Sequence, residues 1–131
     1  MGKKVYFSTE LQYNKEWTKA NVVDMNSLEI KALKSWIDKN LLTNPKVTII
    51  QSQKLLQFAQ KSKDTAEIAY AANSLGLSYL YDRNYEKALH YLNYAIEMDL
   101  IVDSPLLATH YRKFRNTLLR SGLHKPCNRP I

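Results

Sequence analysis

The stretch from Ala69 to Leu100 constrains the fold of this chain more than any other. It reads AYAANSLGLSYLYDRNYEKALHYLNYAIEMDL, two apolar-periodic runs separated only by Asp82-Arg83-Asn84. Ala72, Leu75, Gly76 and Tyr79 fall at three- and four-residue steps on the first run, as do Ala88, Leu92 and Ala95 on the second. That is the period of helices with one buried face. Gly76 and Ala88 are small where two helices must approach closely, and Leu75, Tyr79 and Leu92 fill the groove beside them. Small residues at the crossing set the separation near the roughly 8–10 Å of packed helix pairs. So short a connection permits only an antiparallel return. The stretch therefore predicts a helical hairpin.

The rest of the chain follows suit. Three glycines and four prolines in 131 residues favour long helices over many short strands. Residues 1–26 are expected to form an extended arm and a short helix. That helix would be capped by Ser8 or Thr9 and carry Leu11, Tyr13 and Trp17. Residues 27–122 form the helical domain. Its first helix spans Ser27 to Asn40, with Ile30, Leu33, Trp36, Ile37 and Leu41 on one face. Asn44 is placed to cap the next helix and Pro45 sits in its first turn, where a missing N–H costs nothing. Val47, Ile50, Leu55, Phe58 and Ala59 are the expected contacts of that helix, which runs to Ser62. Asp64 or Thr65 caps a helix to Tyr81, and a fourth runs from Tyr85 to Met98. Asp103 or Ser104 is expected to cap the last, with Pro105 in its first turn and Leu107, Tyr111, Phe114 and Leu118 as one buried stripe. Gly122 suits a left-handed helix end. Residues 123–131 read as an irregular basic tail.

The residues of the hairpin resemble the tetratricopeptide repeat family. Leu75-Gly76, Tyr79, Ala88, Leu92 and Ala95 stand where that family places its Leu-Gly, its tyrosine, and its Ala, bulky residue and Ala. Two positions depart from the pattern: the aromatic expected three residues before the leucine is Ala72, and the loop glycine is Arg83. The resemblance is clear for residues 69–100; Ser27 to Lys63 reads as a blurred repeat and Ser104 to Gly122 as a terminal helix. It implies an all-α, short right-handed superhelix of about five to six antiparallel helices. It also implies a non-catalytic module that binds a peptide or helical segment of another protein. Groove-facing residues implied by the family are Tyr70, Asn73, Ser74, Leu77 and Tyr81. The amide of Asn73 is suited to pairing with a bound peptide backbone. Two fates are open for Tyr70, Leu77 and Tyr81: contact with a ligand, or packing on the neighbouring helix that carries Trp36. The lysine–asparagine clamp of chaperone-tail binders is replaced by Asn73 and Leu77. The chain is also similar to the peptide-sensing helical modules of bacterial regulators, a second reading of the same groove.

Charge is distributed unevenly. Of the net +7, the residues from Arg112 onward hold six basic side chains and no acidic one, whereas those before hold 13 basic and 12 acidic. Arg112, Lys113, Arg115 and Arg120 form a candidate basic patch for an acidic protein surface or RNA. A solvated face is the alternative. Because Tyr111 and Phe114 fall on the expected buried stripe, the arginines read as phosphate contacts without a stacking platform, as in a basic subunit of a ribonucleoprotein assembly. An exposed terminal helix also offers a face to a second copy. No apolar run is long enough to span a membrane, and no secretory leader is expected from MGKKVYFSTE. The single cysteine, Cys127, suits a reducing compartment, here expected to be the cytoplasm.

No enzyme is expected. Phosphate loops, HExxH, metal-binding Cys/His spacings and nucleophile elbows are missing from the sequence. His90, His110 and His124 fall on separate predicted elements, and Glu86 and Glu97 are about three helical turns apart, too far for a carboxylate pair. Neither a cofactor nor a metal is expected.

Overall fold

The computed structural model describes residues 26–122, which form five helices. They are α1 (Ser27–Asn40), α2 (Pro45–Ser62), α3 (Thr65–Tyr81), α4 (Tyr85–Val102) and α5 (Leu107–Ser121). No strand occurs among the described residues. The expected short helix near Ser8 and the basic tail lie outside them. Each helix packs on the next, most extensively α3 on α4, an arrangement consistent with a helical repeat.

Local chemistry explains the boundaries. Asn26 and Glu29 form a capping box at the start of α1: Glu29 N–H donates to Asn26 Oδ1 at 2.8 Å, and Asn26 N–H to Glu29 Oε1 at 3.0 Å. Asp64 accepts from Glu67 N–H and Asn84 from Lys87 N–H, both at 3.2 Å, capping α3 and α4. Asn44 occupies the cap position of α2, yet its side chain makes no capping bond. Pro45 starts α2, as expected.

Three helix ends share one device. Lys63, Arg83 and Asp103 are left-handed, with φ of 58°, 67° and 53°. Each is followed by a residue whose N–H reaches back five positions: Asp64 to the Ala59 carbonyl, Asn84 to Tyr79, and Ser104 to Asp99. These are Schellman closures, which usually place glycine at the left-handed site because a Cβ is disfavoured there. Arg83, between α3 and α4, adopts this glycine-like backbone although it carries a long side chain.

The end of α4 differs from expectation. The helix continues past Met98 to Val102, and Asp103 closes it rather than capping α5. Ser104 Oγ accepts from Leu106 N–H at 3.0 Å, so Pro105 lies in the turn before α5 and not in its first turn.

The core is built around α3, which is buried along nearly its whole length. Ile37, Leu55, Ala59, Ala72, Leu75, Ala88, Leu92 and Ala95 are all sealed from solvent. Gly76 sits against α4 so closely that a Cβ there would lie 2.7 Å from Leu92 Cγ and 3.1 Å from the Ala88 carbonyl oxygen. The small residues therefore hold the helix pair together as the spacing predicts. Tyr79 stacks on Tyr91 of α4, ring centroids 5.8 Å apart and planes at 11°. The inward face of α2 is more polar than predicted: Thr48, Gln51, Ser52 and Lys54 are buried beside Leu55, Leu56 and Ala59.

The inward stripe of α5 is also rotated from the expected one. His110 and Thr117 are buried and Phe114 is packed against the core, whereas Tyr111 is 53% exposed. The reason is a polar anchor: His110 pairs with Asp99 of α4, and burying that pair turns Tyr111 outward.

Candidate functional site

The α3 residues implied for a groove, Tyr70, Asn73, Ser74, Leu77 and Tyr81, lie at three- and four-residue steps and share one face. Their exposure varies. Tyr70 and Tyr81 are half-buried, while Asn73, Ser74 and Leu77 are buried. Asn73 is 9% exposed, and its carbonyl oxygen Oδ1 makes no hydrogen bond. A buried amide oxygen left unpaired costs roughly 1–3 kcal/mol, so this face carries an unused acceptor.

Tyr70 is engaged with α1. Its hydroxyl donates to Asp38 Oδ2 at 3.2 Å, and Lys34 Nζ lies 4.4 Å from the centroid of its ring. Lys34 also bridges to Glu67 Oε2 at 2.8 Å. Tyr70 thus packs on the helix that carries Trp36, through Lys34 and Asp38; Trp36 itself is exposed. Asp38 lies about one turn after Lys34, and Tyr70 about one turn after Glu67, so α1 and α3 run side by side in the same direction.

This environment pushes the Tyr70 phenol up to about 12 from its ordinary 10.0, chiefly by burial, then by the Asp38 carboxylate and its hydrogen bond, with Glu67 adding to it. The folded chain therefore favours the protonated phenol. The stabilisation is complete below pH 10 and is lost as pH rises toward 12. Spectrophotometric titration of the tyrosines is expected to show absorbance developing near pH 12 that loses one residue's share in Tyr70→Phe. An identical late component in that variant would show that Tyr70 titrates normally. Tyr79 is also raised, by burial, then by Tyr91 and Asp82, with its Gln53 hydrogen bond opposing.

Sequence inspection missed a second polar cluster. Asp99 is 1% and His110 3% exposed, and Asp99 Oδ2 lies 2.5 Å from His110 Nδ1, tying α4 to α5. The other carboxylate oxygen, Oδ1, is buried without a partner. The available signal was weak: an acidic residue near the end of one helix and a histidine early on the next. Two buried polar groups joined between adjacent helices fix how those helices sit, without any opening to a substrate. His90 is exposed, its ring edge-on to Tyr91.

The candidate basic residues all fall on α5. Arg112, Arg115 and Arg120 are exposed, and Lys113 is half-buried toward the inward side. In helical register Arg112, Lys113 and Arg120 stand where Asn73, Ser74 and Tyr81 stand on α3.

A shallow depression of about 490 Å³ lies between the α3–α4 turn and the end of α5, lined by Asp82, Arg83, Asn84, Tyr85, Glu86 and Ser121. Asp82 is held there by Lys46 of α2 at 3.1 Å. Among the described residues, no group of three or more His, Cys, Asp or Glu could hold a metal ion, and no helix is long and apolar enough to cross a membrane. No protein-family model, curated protein or solved structure matches the chain.

Proposed function

We propose that the chain is a non-catalytic interaction module that holds a peptide or helical segment of a partner protein along the α3 face, as the tetratricopeptide-like pattern of its central hairpin implies. The observation that carries this reading is Asn73: a buried amide whose Oδ1 lacks a donor, centred on the face shared by Tyr70, Leu77 and Tyr81. A bound backbone N–H would satisfy that oxygen, and the flanking tyrosines offer large contact area with few rotatable bonds. The lone Cys127 suits a cytoplasmic setting for such a module.

The reading gives Asn73→Ala a double signature. Removing an unpaired buried oxygen is expected to leave the free protein as stable as wild type or up to about 1 kcal/mol more so. Losing a hydrogen bond in a desolvated groove is expected to weaken partner binding about tenfold. Thermal melts measure the first. Affinity purification from the native cell with mass spectrometry, wild type beside variant, measures the second. Equal partner recovery by both proteins would remove the α3 face from consideration.

A further inference from the structure

The outward face of α5 corresponds in register to the face of α3 on which α4 packs. Ala71, Leu75 and Ser78 are fully buried on α3, and His110, Phe114 and Thr117 repeat their four- and three-residue steps on the inward side of α5. The correspondence includes a hydrogen bond. Ser78 Oγ donates to the Ser74 carbonyl at 2.8 Å, and Thr117 Oγ1 donates to the Lys113 carbonyl at 2.8 Å. In that register, Tyr111, Arg115 and Leu119 stand where Ala72, Gly76 and Leu80 stand on α3. The three α3 residues are buried, Gly76 directly beneath Leu92. Their counterparts are not: Tyr111 is 53% and Leu119 56% exposed, and Arg115 is exposed. α5 therefore presents a helix-receiving face that no described helix covers.

Charge narrows what can cover it. Arg112 adjoins Leu119 on one side of the Tyr111–Leu119 stripe, Arg115 lies within it, and α5 contains no carboxylate. A second copy presenting the same face would set arginines against arginines, which opposes a symmetric pair. Nucleic acid would engage the arginines but offers no apolar partner to Leu119. Arg115, in the place of a glycine, keeps a covering helix farther away than α4 lies from α3 and asks it for a carboxylate. We infer that this face docks an amphipathic helix of another protein whose apolar stripe, seated on Tyr111 and Leu119, is flanked by Asp or Glu. The proposal concerns side chains of α5, and their occupancy does not require a ligand on α3.

A displayed library of helical peptides tests the inference. The peptides share an apolar stripe at three- and four-residue steps and carry acidic, neutral or basic flanks at matched helicity. Acidic-flanked peptides are expected to be enriched on the wild-type protein. The best of them should lose about tenfold or more in affinity on Arg112→Ser/Arg115→Ser and on Tyr111→Ala/Leu119→Ala. All four side chains are solvent-facing, so both variants should melt as wild type does, and Asn73→Ala should retain the peptide. Equal enrichment of basic and acidic flanks would overturn the proposal, as would unchanged affinity in both variants. Two further outcomes would do so: tighter binding of single-stranded oligouridine at the same arginines, and self-association abolished by the same substitutions.

Discussion

His110→Leu is expected to destabilise the folded chain by about 3–5 kcal/mol, a large share of the 5–15 kcal/mol typical of a domain. The substitution leaves the Asp99 carboxylate in a site where it is 1% exposed, with neither oxygen hydrogen-bonded. A carboxylate only accepts, so no rotation of its own repairs the loss. Asp99→Leu should cost less, because it leaves one ring nitrogen without a partner, whereas His110→Leu leaves a carboxylate with neither oxygen bonded. Combining the two changes should recover most of the stability, since the double variant strands no polar group and places apolar side chains between α4 and α5. Urea denaturation of the four proteins measures the coupling. If the single changes are mild, or if the double is no better than His110→Leu, then α5 is not fastened through this pair.

The second large effect concerns Gly76. Two terms oppose each other in Gly76→Ala: alanine is about 1 kcal/mol better than glycine in a helix interior, but its Cβ would lie 2.7 Å from Leu92 Cγ and 2.8 Å from Cδ2. Leu92 is sealed from solvent and the Ala88 carbonyl, 3.1 Å away, belongs to the helix backbone, so neither yields cheaply. The overlap should win, giving a net loss, and Gly76→Leu should cost about 1–3 kcal/mol or more by wedging the helices apart. Trimming the obstruction reverses the balance. In a Leu92→Ala background, itself costing about 2–5 kcal/mol, the penalty for Gly76→Ala should shrink toward zero. Wild-type thermal stability in Gly76→Leu would mean that α3 and α4 do not meet at this glycine.

Much of the fold was legible because helices advertise themselves locally. Apolar spacing marked the central hairpin, Pro45 marked the start of α2, and Gly122, with φ of 77°, closes α5 as its position suggested. α4 ends at Val102 and not at the expected Met98 for an equally local reason. Schellman closures are usually found at glycine, and in this chain they fall on Lys63, Arg83 and Asp103, so an aspartate that looks like a cap serves as a helix end. The rotation of α5 had a different origin. By hydrophobicity, Tyr111 belongs inside and His110 outside; the order inverts because His110 finds Asp99 across the helix interface. No pattern within α5 announces a partner on another helix.

The candidate surfaces divide along the same line. The candidate face of Tyr70, Asn73, Ser74, Leu77 and Tyr81 is what the tetratricopeptide resemblance implies, and the absence of acidic residues from α5 is read from the sequence directly. Only the tertiary structure shows that Asn73 is buried with an unpaired oxygen, that Tyr70 is bound to Asp38, and that Tyr111 shares an exposed face with Arg112 and Arg115. Sequence by itself determined which residues share a helix and which helices form a close pair, because periodicity and side-chain size act within and between neighbouring turns. The structure decided which way each helix turns about its own axis. That rotation depends on the polar and apolar groups a helix meets on its neighbours, and those lie far away along the chain.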